Sequence, residues 1–110
     1  MPERVARECA AFYELIGFAQ VEPPPSLADR ALWLASGPTS IHLQYAESTG
    51  DSGPGHVAIV VPEYASRLGV LRAAGVAVDE RAPHWGSPRC YVRDPAGNRL
   101  ELMEFPPIAS

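Results

Sequence analysis

Three side chains that commonly bind metal ions, His42, His56 and Glu101, lie within short apolar segments of the sequence. In residues 41–45 and 100–103 an aliphatic residue alternates with another type, which is typical of a strand whose side chains point to two faces in turn. The three residues are therefore predicted to lie opposite the bulky faces of their strands. Two imidazoles and one carboxylate on rigid strands favour a divalent metal ion with open positions for substrate.

Each of these residues also has an interpretation without a metal. His56 could be a polar residue at the start of a strand, and His42 could face a cavity without binding an ion. Glu101 could form an ion pair with Arg89 or Arg99, because a buried carboxylate without a partner is costly. As a catalytic residue, Glu101 could also carry a proton to or from a substrate.

An internal repeat connects these residues. Residues 30–45 lie over residues 89–104 at a constant offset of 59, which places His42 on Glu101. A repeat of this length indicates a duplicated module within one compact domain. The second copy opens with the apolar run HVAIVV, whose counterpart in the first copy falls at or before the first residue. The first copy is therefore predicted to lack its first strand.

The periodicity of apolar residues predicts a single α+β domain of two βαβββ-type modules, residues 1–48 and 55–106, joined by a polar linker at 49–54. A helix is expected from Pro2 to Gly17, with Val5, Cys9, Phe12 and Ile16 on one face. The other predicted elements are strands at 18–22, 30–36, 39–45 and 56–61, a helix at 63–74, and strands at 76–80, 89–93 and 99–105.

Composition limits the possible partners. A chain of 110 residues with a net charge of −4 gives no reason to expect nucleic acid or an anionic membrane as a partner. No apolar run approaches the ~20 residues of a membrane span, and the N-terminus has no signal pattern. A cytoplasmic protein is therefore expected, in which Cys9 and Cys90 are small buried hydrophobic residues.

The phrases AFYELIGF, GHVAIVVPE and HWGSPRCYVRDPAGNRLELMEF resemble the vicinal oxygen chelate superfamily, which includes glyoxalase I, extradiol dioxygenases and bleomycin-resistance proteins. The resemblance implies paired βαβββ modules around a U-shaped cavity. In metal-using members the ligands come from the first and last strands of each module. These positions correspond to His56, Glu101 and His42, and the fourth position, on the first strand of module 1, has no residue here.

Two classes of function follow from this resemblance. The first is a metal-dependent lyase, isomerase or dioxygenase, in which zinc, nickel, iron or manganese chelates a small oxygen-rich substrate. The second is a metal-free protein that sequesters a small molecule, as the bleomycin-resistance members do. In either class the predicted substrate-binding residues are Trp33, Gln44, Trp85, Arg89, Tyr91 and Met103.

The absent first strand also bears on assembly. It would leave the backbone of the neighbouring strand unpaired, and such an edge is a template for pairing with another chain. A homodimer is therefore predicted, with the cavity closed by the partner's module. The three predicted metal ligands need not come from one chain, and a cluster that takes His42 from the neighbouring subunit is compatible with this prediction. Alternatively, a strand upstream of this sequence fills the gap.

Overall fold

The computed structural model describes residues 1–49 and 55–107. Most of the predicted linker at 49–54 lies outside these residues. The described residues form two helices and seven strands: α1 (Glu3–Leu15), β1 (Ala19–Val21), β2 (Ala31–Ser36), β3 (Thr39–Gln44), β4 (Val57–Val60), α2 (Tyr64–Ala73), β5 (Asp79–His84), β6 (Ser87–Arg93) and β7 (Arg99–Met103).

The strands form two sheets that repeat one topology. The first sheet has the antiparallel order β1-β2-β3, and the second has the order β4-β7-β6-β5, with β4 parallel to β7. In the repeat β3 corresponds to β7, so the strand equivalent to β4 is the one that the first sheet lacks among the described residues. The predicted α+β fold of paired modules, with one strand absent from the first, is confirmed.

The backbone of Met1 lies beside β3. The Met1 amino group donates to the Gln44 carbonyl at 3.0 Å, and the Ala46 amide donates to the Met1 carbonyl at 2.6 Å. In the second module the Val61 amide donates to the Met103 carbonyl at 2.8 Å. Met1 therefore occupies the place, next to β3, that Val61 occupies at the end of β4.

One hydrophobic core joins both helices to both sheets. Most of the predicted face of α1 is buried: Cys9, Phe12 and Ile16 are at most 5% exposed, and Val5 is partly buried. This face packs in one cluster with Leu34 and Leu43 of the first sheet. The buried residues of α2 and the second sheet belong to the same cluster, which includes Leu68, Leu71, Cys90, Val92, Leu100 and Leu102.

The predictions for strands 76–80 and 89–93 were wrong in their bounds. The structure has a longer hairpin there, in which β5 extends to His84 and β6 begins at Ser87. The hairpin turns at Trp85 and Gly86, whose φ angles of 42° and 80° are both positive, as a two-residue turn between antiparallel strands often requires. Pro83 and Gly86 favour a loop in the sequence, and a tryptophan is not a residue type that indicates a turn.

Candidate functional site

One face of the second sheet carries most of its polar side chains. The register pairs Asp79 with Tyr91, Tyr91 with Glu101, and Glu101 with Ala58, so these residues share a face across all four strands. The opposite face packs into the core. We call the first of these surfaces the polar face; its other members are Arg81, Arg89, Arg93, Arg99, Met103 and Val60.

His56 and Glu101 meet at one edge of the polar face. His56 Nε2 lies 3.1 Å from Glu101 Oε1, and the side chains are 31% and 10% exposed. The second carboxylate oxygen, Oε2, lies 3.6 Å from Arg89 Nη1. The parallel register of β4 and β7 pairs Ala58 with Glu101, so His56, two residues before Ala58, lies on the same face as Glu101 and diagonal to it. Glu101 is thus a nearly buried carboxylate between an imidazole and a guanidinium.

Tyr91 connects this pair to the rest of the polar face. The rings of Tyr91 and His56 form a T-shaped contact, with their centroids 5.3 Å apart. The Tyr91 hydroxyl accepts a long hydrogen bond of 3.5 Å from Arg89, whose Nε donates to the Ala82 carbonyl at 2.9 Å. The Arg99 guanidinium carbon lies 3.8 Å from the centroid of the Tyr91 ring. The Tyr91 ring therefore contacts His56 of the His56–Glu101 pair and also the guanidinium of Arg99.

His42 lies on the first sheet, away from this pair. It is the direct cross-strand partner of Trp33, and the two rings stack in parallel with centroids 3.7 Å apart. His42 Nε2 also lies 2.9 Å from Ser40 Oγ. His42, Trp33 and Gln44 line a separate open cleft of about 460 Å³. A single chain therefore does not bring His42 to His56 and Glu101.

Two other predicted substrate-binding residues, Met103 and Trp85, lie in different parts of the second module. Met103 belongs to the polar face but is only 5% exposed, because it lies between Val60 and Arg89. Trp85 lies at the far turn of the β5–β6 hairpin, where its Nε1 donates to the Phe105 carbonyl at 3.0 Å. The Trp85 side chain therefore holds the segment after β7 against this hairpin.

Sequence reasoning did not single out Arg81 or Arg99 as site residues. Both lie on the polar face and line a cleft of about 620 Å³ together with Tyr91 and Arg93. The position of Arg99 follows from the alternation of side chains along a strand. Arg99 is two positions before Glu101 on the same strand, so the two side chains lie on the same face. The position of Arg81 could not be read from the sequence, because the predicted strand ended at residue 80.

The donor atoms near Glu101 fit part of a divalent metal site. The 3.1 Å separation of His56 Nε2 and Glu101 Oε1 suits two neighbouring ligands, each at ~2.0–2.2 Å from one ion. No group of three His, Cys, Asp or Glu residues that could hold a metal exists within residues 1–49 and 55–107. Catalytic zinc sites use about three protein ligands. One chain, as far as it is described, therefore supplies two of them.

A second buried carboxylate, Asp94, has a structural role. It accepts hydrogen bonds from the amides of Ala96 and Asn98 and from the Tyr13 hydroxyl, at 3.0, 2.9 and 2.8 Å. Burial, and then the charge of Asp94, raise the pKa of Tyr13 well above its ordinary value. Asp94 therefore fastens the β6–β7 turn to α1 and has no free oxygen for a ligand.

Comparisons with known proteins identify the family. A glyoxalase family protein from Bacillus anthracis is 30% identical, with a TM-score of 0.82, over 94% of this chain and 86% of that one. The bleomycin resistance determinant encoded on the transposon Tn5 is 21% identical, with a TM-score of 0.66, over 94% and 92% of the two chains. A fosfomycin resistance protein from Listeria monocytogenes is 17% identical, with a TM-score of 0.70, over 91% and 82%.

The chain belongs to the glyoxalase family, within the vicinal oxygen chelate superfamily, as its sequence resemblance predicted. The two more distant structures share the fold. No family model and no curated protein matches the chain. Among the described residues, no helix has the length and apolar character that crossing a membrane requires.

Proposed function

We propose that this protein is a metal-dependent enzyme of the glyoxalase type, with His56 and Glu101 as two of its metal ligands. The observation that supports this most is the 3.1 Å approach of His56 Nε2 to Glu101 Oε1 on the polar face. These are the positions at which the family resemblance implies ligands. A divalent ion bound there would stabilise negative charge that develops on the oxygens of a small oxygen-rich substrate.

The third ligand in this proposal is His42 of the partner subunit. Its side chain is exposed on a strand that lacks an outer neighbour among the described residues, so another chain can reach it. His42 also occupies the place in the first module that Glu101 occupies in the second. A site shared between two modules therefore uses equivalent strands of each.

The residues around Glu101 have separate tasks in the reaction. Arg89 holds one carboxylate oxygen of Glu101 through their 3.6 Å contact. Arg89 is itself held by the hydrogen bond that its Nε donates to the Ala82 carbonyl. Glu101 is the group that accepts or returns a proton, because it is a carboxylate beside both His56 and Tyr91 on the polar face. Tyr91 forms the aromatic surface against which the substrate lies.

Metal titration of the purified protein tests this proposal. Isothermal titration with zinc, nickel, iron(II) and manganese should give one ion per chain for at least one metal. His56→Ala and Glu101→Gln should each weaken its binding by more than about 10-fold, because each removes a ligand. Glu80→Gln, which alters an exposed glutamate paired with Arg72, is the matched control and should bind normally. Equal binding by all four proteins would contradict the proposal.

A metal-free binding protein is the second candidate. The contact between Arg89 and Glu101 favours it, because a guanidinium beside the carboxylate repels an added cation and satisfies the charge without one. In this case the wild-type protein would bind no ion. A small apolar or aromatic molecule would still bind at the polar face.

A homodimer is part of the proposal. The facing edges of β3 and β4 line a cleft of about 360 Å³, and Val57 and Val60 of β4 are 62% and 42% exposed. Exposed apolar residues on an unpaired strand edge favour association with another chain. An isologous twofold contact is the commonest arrangement for such pairs.

Substitution of two valines with nearly equal exposure tests the dimer. Val60 on the β4 edge is 42% exposed, and Val70 on α2 is 41% exposed. Val60→Lys should shift the protein from dimer to monomer in sedimentation experiments at micromolar concentration, whereas Val70→Lys should leave a dimer. A monomeric wild-type protein would refute the dimer, and equal effects of the two lysines would refute the β4 edge as the interface.

A further inference from the structure

The polar face carries an excess of positive charge, although the chain as a whole is acidic. All nine basic residues of the sequence other than histidine are arginines, and the net charge is −4. Four of these arginines lie on the polar face, at positions 81, 89, 93 and 99, against two carboxylates, Asp79 and Glu101. A local excess of positive charge within a cleft attracts anions.

Three of the four guanidinium groups already have partners. Arg81 donates twice to Asp79, at 3.0 and 2.7 Å. Arg89 donates to the Ala82 carbonyl and lies near Glu101. Arg93 donates to the Gly97 carbonyl at 2.8 Å. These contacts use part of the hydrogen-bonding capacity of the three side chains and hold them in place.

Arg99 differs from the other three. Among the described residues its guanidinium makes no hydrogen bond or ion pair, and its contact is with the Tyr91 ring, 3.8 Å from the centroid. A guanidinium over an aromatic ring keeps its N–H groups in its own plane, directed away from the ring. Arg99 is therefore a half-buried, positioned cation with unused donors.

We infer that Arg99, supported by Tyr91, is the binding site for a carboxylate or phosphate group of this protein's small-molecule ligand. Both groups are oxyanions that accept two parallel hydrogen bonds from one guanidinium. Arg99 and Tyr91 line the 620 Å³ cleft, whose volume suits a small ligand. Val76 and Phe12 provide an apolar part of its wall.

Tyr91 links this anion site to the His56–Glu101 pair. Its ring contacts Arg99 on one side and His56 on another, so a ligand whose anionic group binds Arg99 can extend along Tyr91 toward His56 and Glu101. The inference rests on the proposed function in one respect, namely that the polar face is where the ligand binds. It adds that the substrate is an anion.

Three aromatic probes test the inference. Benzoate and phenylphosphonate carry the two oxyanions, and benzamide is an uncharged analogue of benzoate. In NMR titrations, the anions should shift the side-chain Nε–Hε signal of Arg99, and benzamide should not. Arg99→Gln should weaken anion binding by about 10-fold or more, the effect of losing charge-assisted hydrogen bonds. Arg99→Lys should keep part of the affinity, because it keeps the charge.

Arg4→Gln is the control for the loss of one positive charge, since Arg4 is exposed on α1 and paired with Glu8. It should bind the anions as the wild-type protein does. Benzoate binding that Arg99→Gln leaves unchanged, or equal binding of benzamide, would overturn the inference. Binding of one anion alone supports it and identifies the group as carboxylate or phosphate.

Glu101→Gln separates this inference from the metal proposal. Loss of metal binding in this variant with anion binding retained supports both. If the wild-type protein binds benzoate through Arg99 but binds no metal ion, the anion site stands and the metal proposal fails. If it binds metal but neither benzoate nor phenylphosphonate, the anion site fails alone.

Discussion

The two sheets of this protein have the same topology but different surroundings. In the second sheet β7 lies between β4 and β6, whereas in the first sheet β3 has only β2 as a neighbouring strand among the described residues. Glu101 on β7 is nearly buried and contacts His56, which precedes β4. His42, its counterpart on β3, is exposed and stacks on Trp33. The strand β4 of the second sheet thus brings His56 beside Glu101 as a second possible metal ligand, and it shields Glu101 from water.

The largest difference in stability between the two modules is expected for substitutions in their cores. Leu102 on β7 and Leu43 on β3 are equivalent in the repeat, and they are 0% and 5% exposed. Leu102→Ala should lower the free energy of unfolding by about 3–5 kcal/mol and Leu43→Ala by about 2–3 kcal/mol, because a cavity at a sheet edge collapses more easily. Urea denaturation measures both. A greater loss for Leu43→Ala would contradict the comparison.

The second-largest difference in stability is expected between the turns that precede β7 and β3. Asp94→Ala removes the acceptor for two turn amides and the Tyr13 hydroxyl, and should cost about 2–3 kcal/mol of unfolding free energy. Ser40→Ala, at the second residue of β3 after the tight turn, should cost less than about 0.5 kcal/mol, because Ser40 is exposed. Thermal and urea unfolding of both variants would check this, and similar losses would argue against a structural role for Asp94.

High pH should weaken the attachment of α1. Burial, and then the charge of Asp94, raise the pKa of Cys9 from 9.0 to about 11. A raised thiol pKa contributes stability that is complete below about pH 9 and is lost as pH rises through about 11, because the unfolded chain then ionises first. The free energy of unfolding should therefore fall across this range.

The variant Cys9→Ala should show a shallower fall over the same pH range. The fall should not vanish, because burial also raises the pKa of Cys90 and of Tyr13. Denaturation at several pH values between 8 and 11 gives the two slopes. An unchanged slope in Cys9→Ala would show that this thiol does not report on the packing of α1.

A small effect on stability is also expected at His42. It is exposed, and an exposed cross-strand aromatic pair such as Trp33–His42 contributes roughly 0.5 kcal/mol. His42→Ala should therefore change the free energy of unfolding by about this amount, while on the proposed function it abolishes metal binding. A loss of several kcal/mol would instead assign His42 a structural role.

Much of the fold was predictable because it depends on local patterns. The face formed by Cys9, Phe12 and Ile16 predicted α1, and the offset of 59 predicted the corresponding strands and the missing one. The hairpin at Trp85–Gly86 was not predictable, because a tryptophan at positive φ is rare and its turn depends on contacts such as that with Phe105.

The candidate site was predictable only in part. Strand parity placed Glu101 opposite the leucines of β7, and the structure places it there. The meeting of His56 with Glu101 depends on the parallel register of β4 and β7, and the free donors of Arg99 depend on which carboxylates pair with the other arginines. Both are properties of tertiary packing that no local pattern in the sequence contains.

A subunit-mixing titration tests the central claim most directly, namely that the metal site joins His42 of one subunit to His56 and Glu101 of another. His42→Ala and Glu101→Gln should each fail to bind the metal ion alone. After unfolding and refolding together in equal amounts, about half of the dimers are mixed and carry one intact site of two, so about a quarter of the wild-type binding should return. Metal binding by either variant alone, or none after mixing, would contradict the account.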